Sequence, residues 1–215
     1  LNRENVVGRT SVDSDAKKGL LMIISAPSGA GKSTLIRELR KTLPDLEYSI
    51  SYTTRSQRRG EKDGVDYIFI SKQEFEEAIS RGELLEYAIV FDHYYGTKVS
   101  SVVDSINEGK DILLDVDIQG ALQIKHKYDG IFIFIIPPSL KVLENRLRKR
   151  NTDSEQEIEK RIHRAKEEIA NFVNYDYVVY NDTITDSIHE LKNIICAEKC
   201  RTKHNKNILS EFGIK

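Results

Sequence analysis

With 215 residues, 39% of them hydrophobic and 31% charged, the chain suits one substantial, well-solvated globular domain with inserted subregions. Its formal net charge of −1 supplies no global basic field, so no nucleic acid polymer is expected as partner and a cationic binding surface has to be local. No apolar run approaches the ~20 residues of a membrane span, so no membrane partner is expected, and two cysteines make no disulfide framework.

Residues 1–18 are polar and aperiodic and are expected to form a disordered leader. Glu4, Asp13 and Asp15 speak against an acid-poor transit peptide and no apolar signal core is present, so a cytoplasmic location is expected. The first element is an apolar strand over 20–25. Ala26-Pro27-Ser28-Gly29-Ala30-Gly31-Lys32-Ser33 follows it, and a helical pattern covers 34–43. Strand, glycine-rich loop ending in Lys-Ser, then helix is the order of a phosphate-binding P-loop, although Ala26 stands where the general motif has glycine. Gly29 and Gly31 let the backbone curl and aim its N–H groups at phosphate oxygens, and the new helix adds its positive end. Ser28, Gly29, Ala30, Gly31, Lys32, Ser33 and Thr34 are therefore the candidate ATP cradle. Lys32 reaches the β- and γ-phosphates, and the Ser33 hydroxyl is a candidate Mg²⁺ ligand.

From 48 to 97 the rhythm breaks into short strand-like pieces, 67–70 and 84–91, around one helix that opens on a Ser71–Glu74 capping box. This reads as a small strand-rich insertion on the core. The loop from Ser51 to Glu61 carries Arg55, Arg58 and Arg59 among hydroxyl residues, a composition suited to a second phosphate. After it, strand-like runs at 112–116, 131–136 and 177–180 are near-continuously apolar or aromatic and alternate with helical patterns. That is the signature of a parallel sheet covered on both faces. Gly109 ends the helix before 112. The strand at 112–116 contains Asp115, where P-loop enzymes hold Mg²⁺. Pro137-Pro138 stops the strand at 131–136, and Ser139 is placed to cap the next helix.

Two helices over 140–172, the second with a Ser154–Glu157 capping box, make a flap rich in arginine. Cys196, Cys200 and His204 form a Cys-x3-Cys-x3-His stripe, but a tetrahedral site needs a fourth ligand and tighter spacing, so a helix face with reduced thiols is expected. The basic tail, 201–215, reads as a fraying terminus.

Taken in order, Pro27 to Ser33, then Thr53-Thr54-Arg55-x-x-Arg58-x-Gly60-Glu61, Tyr94-Tyr95-Gly96-Thr97, Leu114-Asp115-Val116-Asp117-x-Gln119-Gly120 and Asn181-Asp182 resemble the guanylate kinase family, over roughly 19–200. The resemblance implies an α/β fold with a P-loop core, a GMP-binding region and a helical lid. It implies transfer of the γ-phosphate of ATP to GMP, and to dGMP, with Mg²⁺. On it the core takes 19–47, 98–139 and 173–200, the GMP-binding region 48–97, and the lid with its returning helix 140–172. The resemblance assigns Ser51, Arg55, Arg58, Tyr67 and Tyr95 to the GMP phosphate. Glu86, Thr97 and Asp117 read guanine, Arg146 and Arg150 are lid arginines, Arg161 lies near the transferred phosphoryl group, and Asn181 lies on the adenine side.

Chemistry supports the base assignment separately. Guanine presents adjacent N–H donors at N1 and N2, and a carboxylate such as Glu86 accepts both, whereas it faces the N1 acceptor of adenine unfavourably. Two positions depart from the family pattern. Gln57 replaces a proline that would pre-set the arginine loop, which predicts a more mobile loop, and Asn151 replaces a glycine after Arg150. Two other readings are a small-molecule kinase acting on a sugar phosphate, which shares the P-loop, and a non-catalytic guanylate-kinase-like binding module. The former needs no guanine reader, and the latter usually lacks an intact P-loop. Oligomeric state is not encoded in these patterns.

Overall fold

The structure, a computed structural model, describes residues 18–90, 92–149, 154–205 and 207–214. Its centre is a five-stranded parallel sheet built from β1 (Leu21–Ser25), β2 (Glu47–Tyr48), β7 (Ile112–Asp115), β8 (Ile131–Ile136) and β9 (Tyr177–Tyr180), in the order β2-β7-β1-β8-β9. The period-two alternation of each strand divides the core. Met22, Ile24, Leu113, Ile133 and Ile135 pack on one face with Leu35, Ile36 and Leu39 of α1 (Lys32–Thr42) and Leu191 and Ile195 of α7 (Ile184–Lys199). Leu21, Ile23, Ile112, Leu114 and Phe132 pack on the other with Val102 of α3 (Val99–Asn107) and Ala121 and Ile124 of α4 (Ile118–Lys125). Strands buried on both faces have no polar side to show, which is why they read as continuous apolar runs.

Between β2 and α3 the chain makes a second sheet from β3 (Tyr52–Thr53), β4 (Ile68–Phe69), β5 (Leu84–Val90) and β6 (His93–Lys98), ordered β4-β3-β6-β5. Helix α2 (Lys72–Ser80) joins β4 to β5 and starts on the full Ser71–Glu74 capping box. It buries Phe75, whose ring stacks on Tyr94 with centroids 5.0 Å apart. The lid helices are α5 (Leu140–Lys149) and α6 (Glu155–Ile169), with their own cluster of Leu143, Leu147, Ile158 and Ala165. Ser139 and Ser154 accept from the Val142 and Glu157 N–H groups at their helix starts.

Three local differences from the sequence reading have physical causes. Helix α1 begins at Lys32, two residues before the apolar-periodic stretch, because Gly31 in a left-handed conformation (φ 92°) caps it and its carbonyl already accepts the Leu35 N–H at 3.1 Å. Strands β2 and β3 are two residues each, too short to leave a periodic signal. Strand β6 is hidden by Gly96, which reads as a strand-breaker but is a close approach: a Cβ there would lie 2.8 Å from the Glu86 carbonyl and 2.9 Å from the Phe75 ring.

Candidate active site

The P-loop leaves the carboxyl end of β1 and closes on α1. Gly29 and Gly31 both have positive φ, 90° and 92°. Neither tolerates a side chain: a Cβ on Gly31 would lie 2.5 Å from Asn181 Nδ2, and one on Gly29 would lie 2.9 Å from Leu143 and Leu147. The loop is held from behind through the Ala30 carbonyl, which accepts from Asn181 Nδ2 at 2.7 Å and from Arg146 Nη1 at 3.1 Å. Asn181, itself buried, leaves the end of β9 with its Oδ1 accepting from Ser187. Lys32 Nζ donates to the Val116 carbonyl at 2.8 Å and pairs with the Asp115 carboxylate.

Two cavities of about 360 Å³ each open around this loop, a size that suits a small ligand. The first is lined by Ser28, Gly29, Gly31, Lys32, Ser33 and Thr34 and by Arg161, Arg164 and Glu168 of α6. The second is lined by Ser51, Arg58, Tyr67, Glu86, Tyr95, Asp115 and Asp117. They share Lys32, Ser33, Val90 and Asp117, so a ligand in each would meet the other over Lys32.

In the second cavity Glu86 is 5% exposed, and its Oε1 accepts from the Thr97 hydroxyl at 2.8 Å. Burial pushes its carboxyl up to about 7; the Thr97 hydroxyl opposes the rise and the Asp117 charge adds to it. Asp117 caps α4, its Oδ1 accepting the Gly120 N–H at 2.8 Å. Thr97 stands behind Glu86, and the lining of this cavity does not include Arg55. The Arg55 guanidinium is 9% exposed and makes a two-point pair with Glu61 at 2.8 and 3.1 Å, with a further bond to the Tyr95 hydroxyl at 3.2 Å. The Glu61 carboxyl is held below its ordinary range by Arg55 and then by the Arg58 N–H. Gln57 closes this loop by donating its Nε2 to the Glu61 carbonyl at 2.5 Å, a side-chain tie where the family pattern has a proline ring.

Of the expected arginines, Arg161 comes to the first cavity. Arg146 does not: with Asn181 and Thr34 it lines a separate recess, because its donors are taken by the carbonyls of Ala30 and Asn181. Arg150 and Asn151 lie outside the described residues. Ser33 and Asp115 line one cavity and offer oxygen donors only, a set that fits Mg²⁺.

Glu168 is a site residue that motif reading misses. Its Oε2 accepts the Ser28 N–H of the P-loop at 3.0 Å while its Oε1 accepts from Arg164 at 2.9 Å. The available signal is spacing: Arg161, Arg164 and Glu168 stand at i, i+3 and i+7 on one helix face. Gln123 carries no such signal; it bonds the Tyr87 backbone across the gap between α4 and β5.

The profile of the guanylate kinase family matches residues 18–198. A guanylate kinase of Carboxydothermus hydrogenoformans is 48% identical over 199 residues, covering 92% of this chain and 98% of that protein. One of Caldanaerobacter subterraneus is 49% identical over 193 residues, covering 89% and 94%. A crystal structure of guanylate kinase from Anaplasma phagocytophilum superposes with a TM-score of 0.74 at 32% identity, covering 93% of this chain and 98% of that one.

Proposed function

The chain belongs to the guanylate kinase family and transfers the γ-phosphate of ATP to GMP; we propose that the reaction runs where the two cavities meet, over Lys32. The observation that carries this reading is the shared wall of Lys32, Ser33, Val90 and Asp117. ATP takes the P-loop side and GMP the side of Glu86. A phosphate oxygen of GMP attacks the γ-phosphorus in line, the bond from that phosphorus to the β,γ-bridging oxygen breaks, and ADP leaves. The chain supplies no nucleophile; it aligns two anions and offsets their repulsion.

Lys32 exchanges its Asp115 and Val116 partners for the β- and γ-phosphates. Ser28 to Thr34 cradle the phosphates, and Asn181 holds the loop against the adenine side. Ser33 and Asp115 are the residues that would hold Mg²⁺, whose charge neutralises phosphate oxygens when it is bound. Ser51, Arg55, Arg58, Tyr67 and Tyr95 take the GMP phosphate, with Arg55 giving up part of its pairing to Glu61. Glu86 accepts from guanine N1–H and N2–H, with Thr97 orienting it and Asp117 as second acceptor. Arg150 and Arg161 stabilise charge on the transferred group. Arg146 acts from the ATP side, bracing Ala30 so that the loop N–H groups stay converged. None of these groups is assigned to the ribose 2′-hydroxyl, so dGMP is proposed as a second acceptor. We place the protein in the cytoplasm, where these nucleotides are; no helix among the described residues is long and apolar enough to cross a membrane.

The test is ADP formation from ATP and Mg²⁺ with GMP, AMP, CMP, UMP or no acceptor, in the wild type and in Lys32→Ala. Turnover with GMP alone and a loss of at least about a hundredfold in the variant are expected. Wild-type turnover in Lys32→Ala overturns the placement of the reaction, and silence with every nucleotide fits a binding module instead.

A further inference from the structure

Strand β5 is an edge of the second sheet, so alternate backbone groups along it point away from β6 with no strand among the described residues to receive them. At Tyr87, the residue after Glu86, both groups are taken by one side chain. Gln123 Oε1 accepts the Tyr87 N–H at 3.1 Å, and Gln123 Nε2 donates to the Tyr87 carbonyl at 2.8 Å. A primary amide carries a donor and an acceptor in the geometry of a peptide group, so Gln123 stands in for one residue of a neighbouring strand.

Its position on α4 gives the bond pair a consequence. The helix starts at its cap Asp117, and Gly120 lies three residues before Gln123. A Cβ at Gly120 would fall 2.5 Å from Glu86 Oε2. One helix thus presents a base-reading carboxylate, the clearance for the other carboxylate, and a clamp on the backbone beside it. The two readers come from different layers: Asp117 from the parallel core, Glu86 from the second sheet. Burial of Leu85 against Ala121 and Ile124 holds the layers together, but apolar burial is non-directional and does not fix where along β5 the helix sits. The two amide bonds do.

We propose that Gln123 is a positioning residue for base selection, setting the separation of Glu86 and Asp117 and hence the two-point contact with guanine. This rests on the reading that Glu86 and Asp117 face the base. The probe is IMP, whose base keeps N1–H and lacks the exocyclic amine, compared with GMP in wild type, Gln123→Met and Gln123→Glu. Methionine keeps length without hydrogen bonds. Glutamate can accept from the Tyr87 N–H but faces its carbonyl with a second acceptor.

In both variants KM for GMP is expected to rise roughly three- to tenfold, with kcat and KM for ATP within about twofold of wild type. The preference for GMP over IMP narrows by a similar factor. Gly120→Ala, a substitution favourable to a helix in itself, should give the same signature by displacing the Glu86 carboxylate. Circular dichroism melts fix an assay temperature at which every variant is folded. A purely structural clamp would lower the melting temperature and leave the GMP-to-IMP ratio unmoved; that result in both Gln123 variants overturns the proposal. A wild type that does not prefer GMP to IMP overturns the base reading itself, whatever the variants do.

Discussion

Burial, opposed only in part by the Thr97 hydroxyl, holds the Glu86 carboxyl up at about 7. Only the carboxylate accepts two N–H groups of guanine, so on the proposed base-reading role of Glu86 GMP binding to the empty enzyme gains strength as pH rises through that value. KM for GMP is expected to fall about tenfold between about pH 6 and about pH 8. The GMP phosphate also titrates near pH ~6, so the Glu86→Gln profile serves as the reference; parallel profiles would show that Glu86 is not the titrating reader. The same shift acts on stability with the opposite sense. The folded value lies above the ordinary carboxylate value of 4.5, so the folded state holds the extra proton between the two and stability falls as pH rises across that window. Above about pH 7 the cost is complete, on the order of 3 kcal/mol at the upper limit. Glu86→Gln should therefore be more stable than wild type at pH ~8 and close to it at pH ~4, by urea denaturation, while using GMP poorly.

At the scale of elements, α6 is tied to the P-loop through Glu168, which takes the Ser28 N–H while Arg164 holds its other oxygen. The tie fixes the helix that carries Arg161 into the first cavity, the one proposed for ATP. Cutting it in Glu168→Ala should lower kcat about ten- to a hundredfold by misplacing Arg161. KM for ATP should not rise, because a carboxylate has been removed from a phosphate cradle. An unchanged kcat would mean that α6 is held without Glu168. Legibility divides along the same line. The β1–loop–α1 unit is readable because every constraint in it is local: an apolar strand, two glycines that need positive φ, a lysine and a hydroxyl at fixed offsets. The capping box of α2 and the Ser154 cap of α6 are local in the same way. Arg146 is named by the family resemblance but not placed by it, since the carbonyls that hold it come from Ala30 and Asn181, distant in sequence. Gln123 and Tyr87 are 36 residues apart, and nothing near either announces the other.

For the whole molecule, the cavity proposed for GMP takes walls from two sheets that pack around different centres: Asp115, Val116 and Asp117 from the core, and Glu86, Ala88 and Tyr95 from the second sheet. A ligand touching both walls adds a link between the layers to those that the free protein makes, among them the burial of Leu85 and the Gln123 bonds. The alternation of strands and helices in the sequence announces the core, because each βα unit is repeated and periodic. It leaves the second sheet underdetermined, since two of its strands are only two residues long and a third contains Gly96. The cavity between the layers is thus the part of the site that sequence pattern describes least and that ligand binding should report most directly. At GMP about a hundredfold above its Kd, linkage contributes about 2.7 kcal/mol, which for a chain of this size raises Tm by roughly 5–10 °C. Guanosine, which reaches the base-reading residues but leaves Arg58, Tyr67 and Tyr95 without an anion, should give a smaller rise at the same concentration. At pH ~8, where Glu86 is ionised, AMP should give almost none, because its N1 acceptor faces a carboxylate. Scanning calorimetry of the protein with each ligand decides the matter. If AMP and GMP raise Tm equally, the phosphate alone bridges the layers and the base pocket contributes nothing to the link. If guanosine matches GMP, the base contacts do so without the phosphate, and the Arg55 loop has no part in joining the two sheets.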